Sequence, residues 1–122
     1  MSRKVLLIED EPNIAEAIRV LLTREGWQVE IHGDGTDALQ VIQGAQPDLV
    51  ILDVFLRNNS RGTDILPLLV NTLPKLKVIL ISGYSRAEIK REEPLINYGL
   101  NFIQKPIDIS KFYRIAKPIL SE

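Results

Sequence analysis

The chain has 122 residues, of which 45% are hydrophobic and 25% are charged, and it contains no cysteine. This length suits one globular domain over residues 1–122, and the composition is too apolar for a disordered chain. The formal net charge of −1 gives no general attraction to nucleic acid or anionic membrane, and the lack of cysteine excludes disulfides and thiolate metal sites.

The first predicted elements are a strand, a helix and a second strand. An uninterrupted apolar run at 5–8 is typical of a strand covered on both faces, and it is too short for a signal-peptide core. Residues 13–25 carry apolar side chains at helical spacing, and Gly26 is a suitable C-terminal stop. Residues 27–32 alternate polar and apolar side chains, which predicts a strand at an edge of the sheet.

The next predicted elements are a helix and a buried strand. Residues 36–43 repeat the helical spacing, with Thr36 as the N-cap, and Gly44 follows. A second apolar run at 49–52 predicts a strand that is covered on both faces and ends at Asp53. A carboxylate at the end of such a strand requires a partner or a function.

The remaining chain predicts three helices and two strands. The helices cover 63–73, 86–98 and a segment that begins at Asp108. An apolar run at 78–81 predicts a third buried strand, and alternation at 100–104 predicts a second edge strand. No apolar run approaches the length of a membrane span, so we expect a cytoplasmic protein without membrane insertion.

This alternating order predicts an α/β domain of the (βα)5 type, with one doubly wound five-stranded parallel sheet. Placing the three uninterrupted apolar strands in the centre gives the flavodoxin-like strand order 2-1-3-4-5. In sheets of this order, ligands bind beyond the carboxyl ends of the strands, beside the first and third strands.

Polar residues follow the strands at that edge: Glu9, Asp10, Glu11, Asp53, Ser82 and Lys105. Each alone has an ordinary structural interpretation as a turn residue, a helix start or a surface side chain. Together, however, the carboxylates would repel one another unless a cation intervened. Mg²⁺ suits such oxygen ligands, and the added lysine and hydroxyl predict a site for a phosphoryl group.

At this point the sequence resembles the receiver domains of two-component response regulators, over essentially the whole chain. The resemblance rests on LLIEDEP, DLVILDV, VILISGYS and FIQKPID, in this order and at the family's usual separations. It implies a chemotaxis-regulator-like fold. It also implies a signalling domain rather than an enzyme, one that catalyses at most its own phosphorylation and dephosphorylation.

The resemblance implies a role for each residue of the site. Asp53 takes the phosphoryl group from a sensor histidine kinase or a histidine phosphotransfer protein. Ser82 donates a hydrogen bond to the phosphoryl oxygens, and Lys105 pairs with them. The implied ligands of Mg²⁺ are Glu9, Asp10, Asp53 and the backbone carbonyl of Phe55.

The resemblance also implies a switch made of Ser82 and Phe102. Movement of Ser82 toward the phosphoryl group vacates space for Phe102, which changes the face built from the fourth helix, fifth strand and fifth helix. We expect this face to bind a downstream protein, a fused output module or a second copy of the chain, without direct contact to nucleic acid. The Lys105–Pro106 peptide is expected to be cis.

Two departures from the family pattern leave more than one function open. Glu9 stands where many members have Asp, and the loop after Asp53 has Arg57 in place of a proline and Gly62 one residue late. A Mg²⁺-dependent phosphohydrolase is one such function, although Phe55 stands where such enzymes have a second aspartate. A pseudo-receiver that acts only by binding protein is a second. A third, a flavodoxin-like cofactor binder, is opposed by the acids after the first strand.

Overall fold

The computed structural model describes residues 3–33, 38–53, 71, 75–83 and 101–121. Its strands are β1 (Lys4–Ile8), β2 (Gln28–His32), β3 (Leu49–Asp53), β4 (Lys77–Ser82) and β5 (Asn101–Gln104). The helices among these residues are α1 (Pro12–Arg24), α2 (Ala38–Ala45) and α3 (Ile109–Leu120). The predicted helices at 63–73 and 86–98 lie outside the described residues, except for Asn71, which is helical.

All five strands form one parallel sheet in the order β2-β1-β3-β4-β5. The predicted α/β class and strand order are therefore confirmed. The alternating strands β2 and β5 lie at the two edges, and the uninterrupted apolar strands lie between them. Every residue of β3 is buried, including Asp53 at its end.

Helices pack on both faces of this sheet. One face is covered by α1 and α3, which share a buried cluster with Val5 and Leu7 of β1. Successive side chains of a strand point to opposite faces, so Lys4 points away from this cluster. Its Nζ donates to the carbonyl of Ala45 at 3.1 Å, which places α2 on the other face.

The ends of α1 and α3 follow their predicted signals. Gly26 adopts φ +86° after α1, its N–H donates to the carbonyl of Thr23, and the N–H of Trp27 donates to the carbonyl of Leu22. This pair of bonds is a Schellman motif, for which glycine is favoured. At the start of α3, the Asp108 carboxylate accepts hydrogen bonds from two backbone N–H groups of the first turn. None of the described helices is long and apolar enough to cross a membrane.

The predicted end of α2 at residue 43 was wrong. The helix continues through Gly44 to Ala45, and Gln46 follows in the left-handed region with φ 49°. The N–H of Gln46 still donates to the carbonyl of Ile42 at 2.8 Å, so the helical bonding outlasts the glycine. The predicted N-cap, Thr36, lies outside the described residues.

Candidate functional site

Four neighbouring strands bring polar residues to the carboxyl edge of the sheet. Glu9 directly follows β1, Asp53 ends β3, Ser82 ends β4, and Lys105 directly follows β5. The backbone N–H of Lys105 donates to the carbonyl of Ser82 at 2.6 Å, which ties the last two positions together. Glu9, Asp53 and Ser82 are all buried, so the site is formed inside the protein rather than on a loop surface.

Lys105 bridges the two buried carboxylates. Its Nζ lies 2.9 Å from Oε1 of Glu9 and 2.9 Å from Oδ2 of Asp53. Burial lowers the pKa of the Lys105 amine, but the hydrogen bonds to Glu9 and Asp53 outweigh this effect and raise the pKa. The amine therefore stays charged and neutralises part of the negative charge at this edge.

The Glu9 carboxyl is held in a desolvated position. Burial raises the pKa of Glu9 to about 7, with Asp53 adding to the rise and Lys105 opposing it. The N–H of Glu9 donates to the carbonyl of His32 at 3.0 Å, and its Oε1 accepts from the N–H of Glu11 at 3.3 Å. Its other oxygen, Oε2, is buried and has no hydrogen-bond partner among the described residues.

The acidic residues of the site fit a hard divalent cation. Glu9, Asp10 and Asp53 each offer a carboxylate oxygen, and these three oxygens lie within 4.8 Å of one another. Oxygen donors of this kind suit Mg²⁺, and the buried Oε2 of Glu9 is an acceptor that a cation would satisfy. The remaining predicted ligand, the carbonyl of Phe55, lies outside the described residues. So does the rest of the segment after Asp53 whose sequence differs from the family pattern.

The other sequence-predicted positions are also on β5 or beside it. Phe102 is half-buried in β5 and lies opposite Leu80 of β4 in the register. The Lys105–Pro106 peptide is cis, as expected. Sequence reasoning did not anticipate the contact between Lys105 and Glu9 or the support of Glu9 by the His32 carbonyl. The contact between Lys105 and Glu9 could have been predicted from charge, because one lysine lies among several acidic residues at this edge.

The amino-acid sequence matches the family model of the response regulator receiver domain over residues 5–117. The chain belongs to this family. It is accordingly a signalling domain of the kind used in two-component systems, which confirms the resemblance seen in the four motifs. A receiver domain of Methanospirillum hungatei, described as CheY-like, has the same fold. Its TM-score is 0.86 at 24% identity, with 99% of this chain and 95% of that chain covered.

Two curated relatives of this receiver domain are transcriptional or nitrogen-assimilation regulators. It is 36% identical to the Probable transcriptional regulatory protein TcrX of Mycobacterium tuberculosis, over 88% of this chain and 45% of TcrX. It is 28% identical to the nitrogen assimilation regulatory protein NtrX of Azorhizobium caulinodans, over 98% of this chain and 26% of NtrX. The receiver domain thus spans less than half the length of each of these relatives.

We expect the metal-free receiver to lose stability as the pH rises from about 4.5 to about 7, because of Glu9. In this window the unfolded chain releases a proton that the folded carboxyl still holds, which favours the unfolded state. Glu9→Gln should flatten this dependence and raise the free energy of unfolding at neutral pH by about 1–3 kcal/mol. Urea unfolding in EDTA across this pH range measures both effects.

The matched control for this prediction is Glu25→Gln, which changes an exposed carboxyl directly after α1. This variant should keep the pH dependence of the wild type. If the wild type and Glu9→Gln show the same dependence, desolvation of Glu9 does not limit the stability of the folded receiver.

Proposed function

We propose that this receiver domain accepts a phosphoryl group on Asp53 from a sensor histidine kinase or a histidine phosphotransfer protein, with Mg²⁺ as its cofactor. The observation that carries the proposal is the position of Asp53, buried at the carboxyl edge, with Lys105 Nζ 2.9 Å from its Oδ2. The oxygens of Glu9 and Asp10 beside it add a metal-binding group. Family membership supports the two-component role.

The Asp53 carboxylate is the nucleophile. One of its oxygens forms a bond to phosphorus while the phosphorus–nitrogen bond of the phosphohistidine breaks, and the bonding pair leaves with the imidazole nitrogen. A carboxylate is a weak nucleophile, so the rate depends on holding Asp53 in line with the leaving nitrogen. The fully buried strand β3 fixes its backbone for this purpose.

Lys105 stabilises the charge on the transferred group. Its ammonium, held near Asp53 and Glu9, pairs with the phosphoryl oxygens as they approach. Glu9, Asp10 and Asp53 would hold the metal, and the backbone carbonyl of Phe55 would be a further ligand. When bound, Mg²⁺ supplies further positive charge beside the phosphoryl oxygens.

Ser82 and Phe102 form the proposed switch. Ser82 is buried at the end of β4, and Phe102 is half-buried in β5, the strand that pairs with β4. Phosphorylation adds about 1.5–2 negative charges, which draws the Ser82 hydroxyl toward the phosphoryl oxygens. Phe102 then moves into the vacated space, and the surface of β5 and α3 presents a changed shape to a downstream protein or a fused output module.

Incubation with acetyl phosphate and Mg²⁺, followed by intact mass measurement, tests this function. We expect the mass to rise by one phosphoryl group per chain, with no increase when EDTA removes the metal. Each chain should consume one acetyl phosphate when it is modified. It should consume another only after the slow hydrolysis of the phosphoryl group on Asp53. The rate of that hydrolysis is a useful second readout, because the sequence after Asp53 differs from the family pattern.

Two results would contradict the proposal. Rapid release of many phosphates per chain would favour the phosphohydrolase. Failure to incorporate phosphate from acetyl phosphate and from phosphohistidine donors, in protein that is folded, would favour the pseudo-receiver that acts only by binding protein.

A further inference from the structure

The outer edge of β2 is a second surface with the means to bind. Within the described residues β2 pairs only with β1. The N–H of Gln28 donates to the carbonyl of Arg3, the residue before β1, and the carbonyl of His32 accepts from the N–H of Glu9, the residue after β1. Because alternate residues of a strand face the same neighbour, the main-chain groups of Gln28, Glu30 and His32 all face β1. The N–H and C=O groups of Val29 and Ile31 therefore point away from β1.

This edge lacks two of the residue types that commonly prevent strands from pairing. Among the five residues of β2 there is neither a proline nor a lysine, which are common blocking residues. Ile31 exposes 37% of its surface, and Ile109 on α3 is the other large apolar residue exposed in the described part of the chain. An apolar residue with outward main-chain groups makes this edge a candidate for strand addition.

An open groove runs beside β2 on the side of α2. It encloses about 680 Å³ and is lined by Gln28, Glu30 and His32 of β2 and by Val41, Gly44 and Ala45 of α2, among others. Nε2 of His32 is buried there, without a hydrogen-bond partner among the described residues, and lies 3.5 Å from Oε2 of Glu30. One face of β2 thus carries a carboxylate and an imidazole next to each other.

We propose that this edge pairs antiparallel with β2 of a second copy of the chain, centred on Ile31. In this register Ile31 and the partner's Ile31 form a hydrogen-bonded pair that uses the outward main-chain groups of both. Glu30 then lies opposite the partner's His32, and His32 opposite the partner's Glu30, in the closely spaced non-hydrogen-bonded pairs. Both pairs project on the groove side of the sheet.

Charge complementarity selects this register. A pairing centred on Glu30 would place two carboxylates directly opposite each other, which is unfavourable. The register centred on Ile31 instead places an imidazole of the second copy opposite each Glu30 and covers the exposed isoleucine. The β2 sequence is therefore complementary to itself in the register centred on Ile31.

The association is expected to be weak. Pairing of two short strand edges buries far less than the roughly 1,200–2,000 Å² of a stable protein interface. We expect a dissociation constant between about 10 µM and 1 mM. The inference goes beyond the proposed function, because β2 pairing requires neither Mg²⁺ nor phosphorylation and leaves the face of β5 and α3 free.

Sedimentation velocity of the unphosphorylated chain in EDTA, between about 10 µM and 1 mM, tests the inference. We expect the sedimentation coefficient to rise with concentration toward that of a dimer. Ile31→Lys places two like charges at the centre of the pairing and should weaken the dimer by at least about tenfold. The matched control is Ile109→Lys, which changes the exposed isoleucine on α3 and should leave the dimer unchanged.

A thiol variant tests the geometry without a charge change. The natural chain contains no cysteine, so Ile31→Cys and Ile109→Cys each introduce a single thiol. A short bis-maleimide should cross-link Ile31→Cys into dimers and leave Ile109→Cys monomeric. A chain that stays monomeric at the highest concentration would overturn the inference. So would a dimer that survives Ile31→Lys, or one that cross-links through residue 109 instead.

Discussion

Asp53→Asn is expected to abolish phosphoryl incorporation from acetyl phosphate, while Asp48→Asn should retain it. The amide has nearly the shape of the carboxylate but is not a nucleophile toward phosphorus, so the chemistry is lost with little change in packing. Asp48 is the matched control because it precedes the same strand at the opposite edge of the sheet, where it accepts a bond from the N–H of Lys4 at 2.8 Å. Intact mass measurement with Mg²⁺ present detects the difference.

Circular dichroism and thermal unfolding should accompany this comparison, so that loss of folding is not mistaken for loss of the acceptor. A folded Asp53→Asn variant that still gains one phosphoryl group would place the acceptor elsewhere. If a normally folded Asp48→Asn variant also failed to incorporate phosphate, the loss in Asp53→Asn would not identify Asp53 as the acceptor.

The largest effect on stability is expected at Lys105. Lys105→Met leaves the buried carboxylates of Glu9 and Asp53 without the amine that lies 2.9 Å from each. Removing one partner of a buried ion pair costs about 3–5 kcal/mol, because the remaining charge stays desolvated after it has lost its counter-ion. Urea unfolding in EDTA at about pH 8, above the pKa of Glu9 in the wild type, measures the loss.

Lys111→Met is the control for this change, because Lys111 is exposed on α3 and outside the site. Its free energy of unfolding should stay close to that of the wild type. Added Mg²⁺ should recover part of the stability of Lys105→Met, since the three carboxylates can share the cation. Equal stability of the two variants in EDTA would contradict the bridging role of Lys105.

The sheet and the polar residues at its carboxyl edge were predictable because their signals are local and repeated. The uninterrupted apolar runs before Glu9, Asp53 and Ser82 indicated central strands, and the alternating runs indicated edges. A parallel sheet aligns the carboxyl ends of its strands, so the residues after these runs had to lie near one another. The helix ends at Gly26 and Asp108 followed from equally local capping rules.

The features that the sequence could not predict depend on side-chain burial and on contacts between residues that are distant in sequence. The raised pKa of Glu9 arises mainly from burial, which is set by the folded chain and not by the residues next to Glu9 in sequence. The contact between Lys105 and Glu9 joins residues that are 96 positions apart. The end of α2 was misplaced because glycine only weakly disfavours a helix, and α2 continues two residues beyond the predicted end at residue 43.

The most direct test of the central claim is to locate the phosphoryl group chemically. After phosphorylation with acetyl phosphate and Mg²⁺, borohydride reduction converts an aspartyl phosphate to homoserine, and peptide mass mapping identifies the residue. The proposed function predicts homoserine at position 53 and at no other aspartate. Reduction at another position, or a phosphoryl group found on Ser82 or His32, would contradict it.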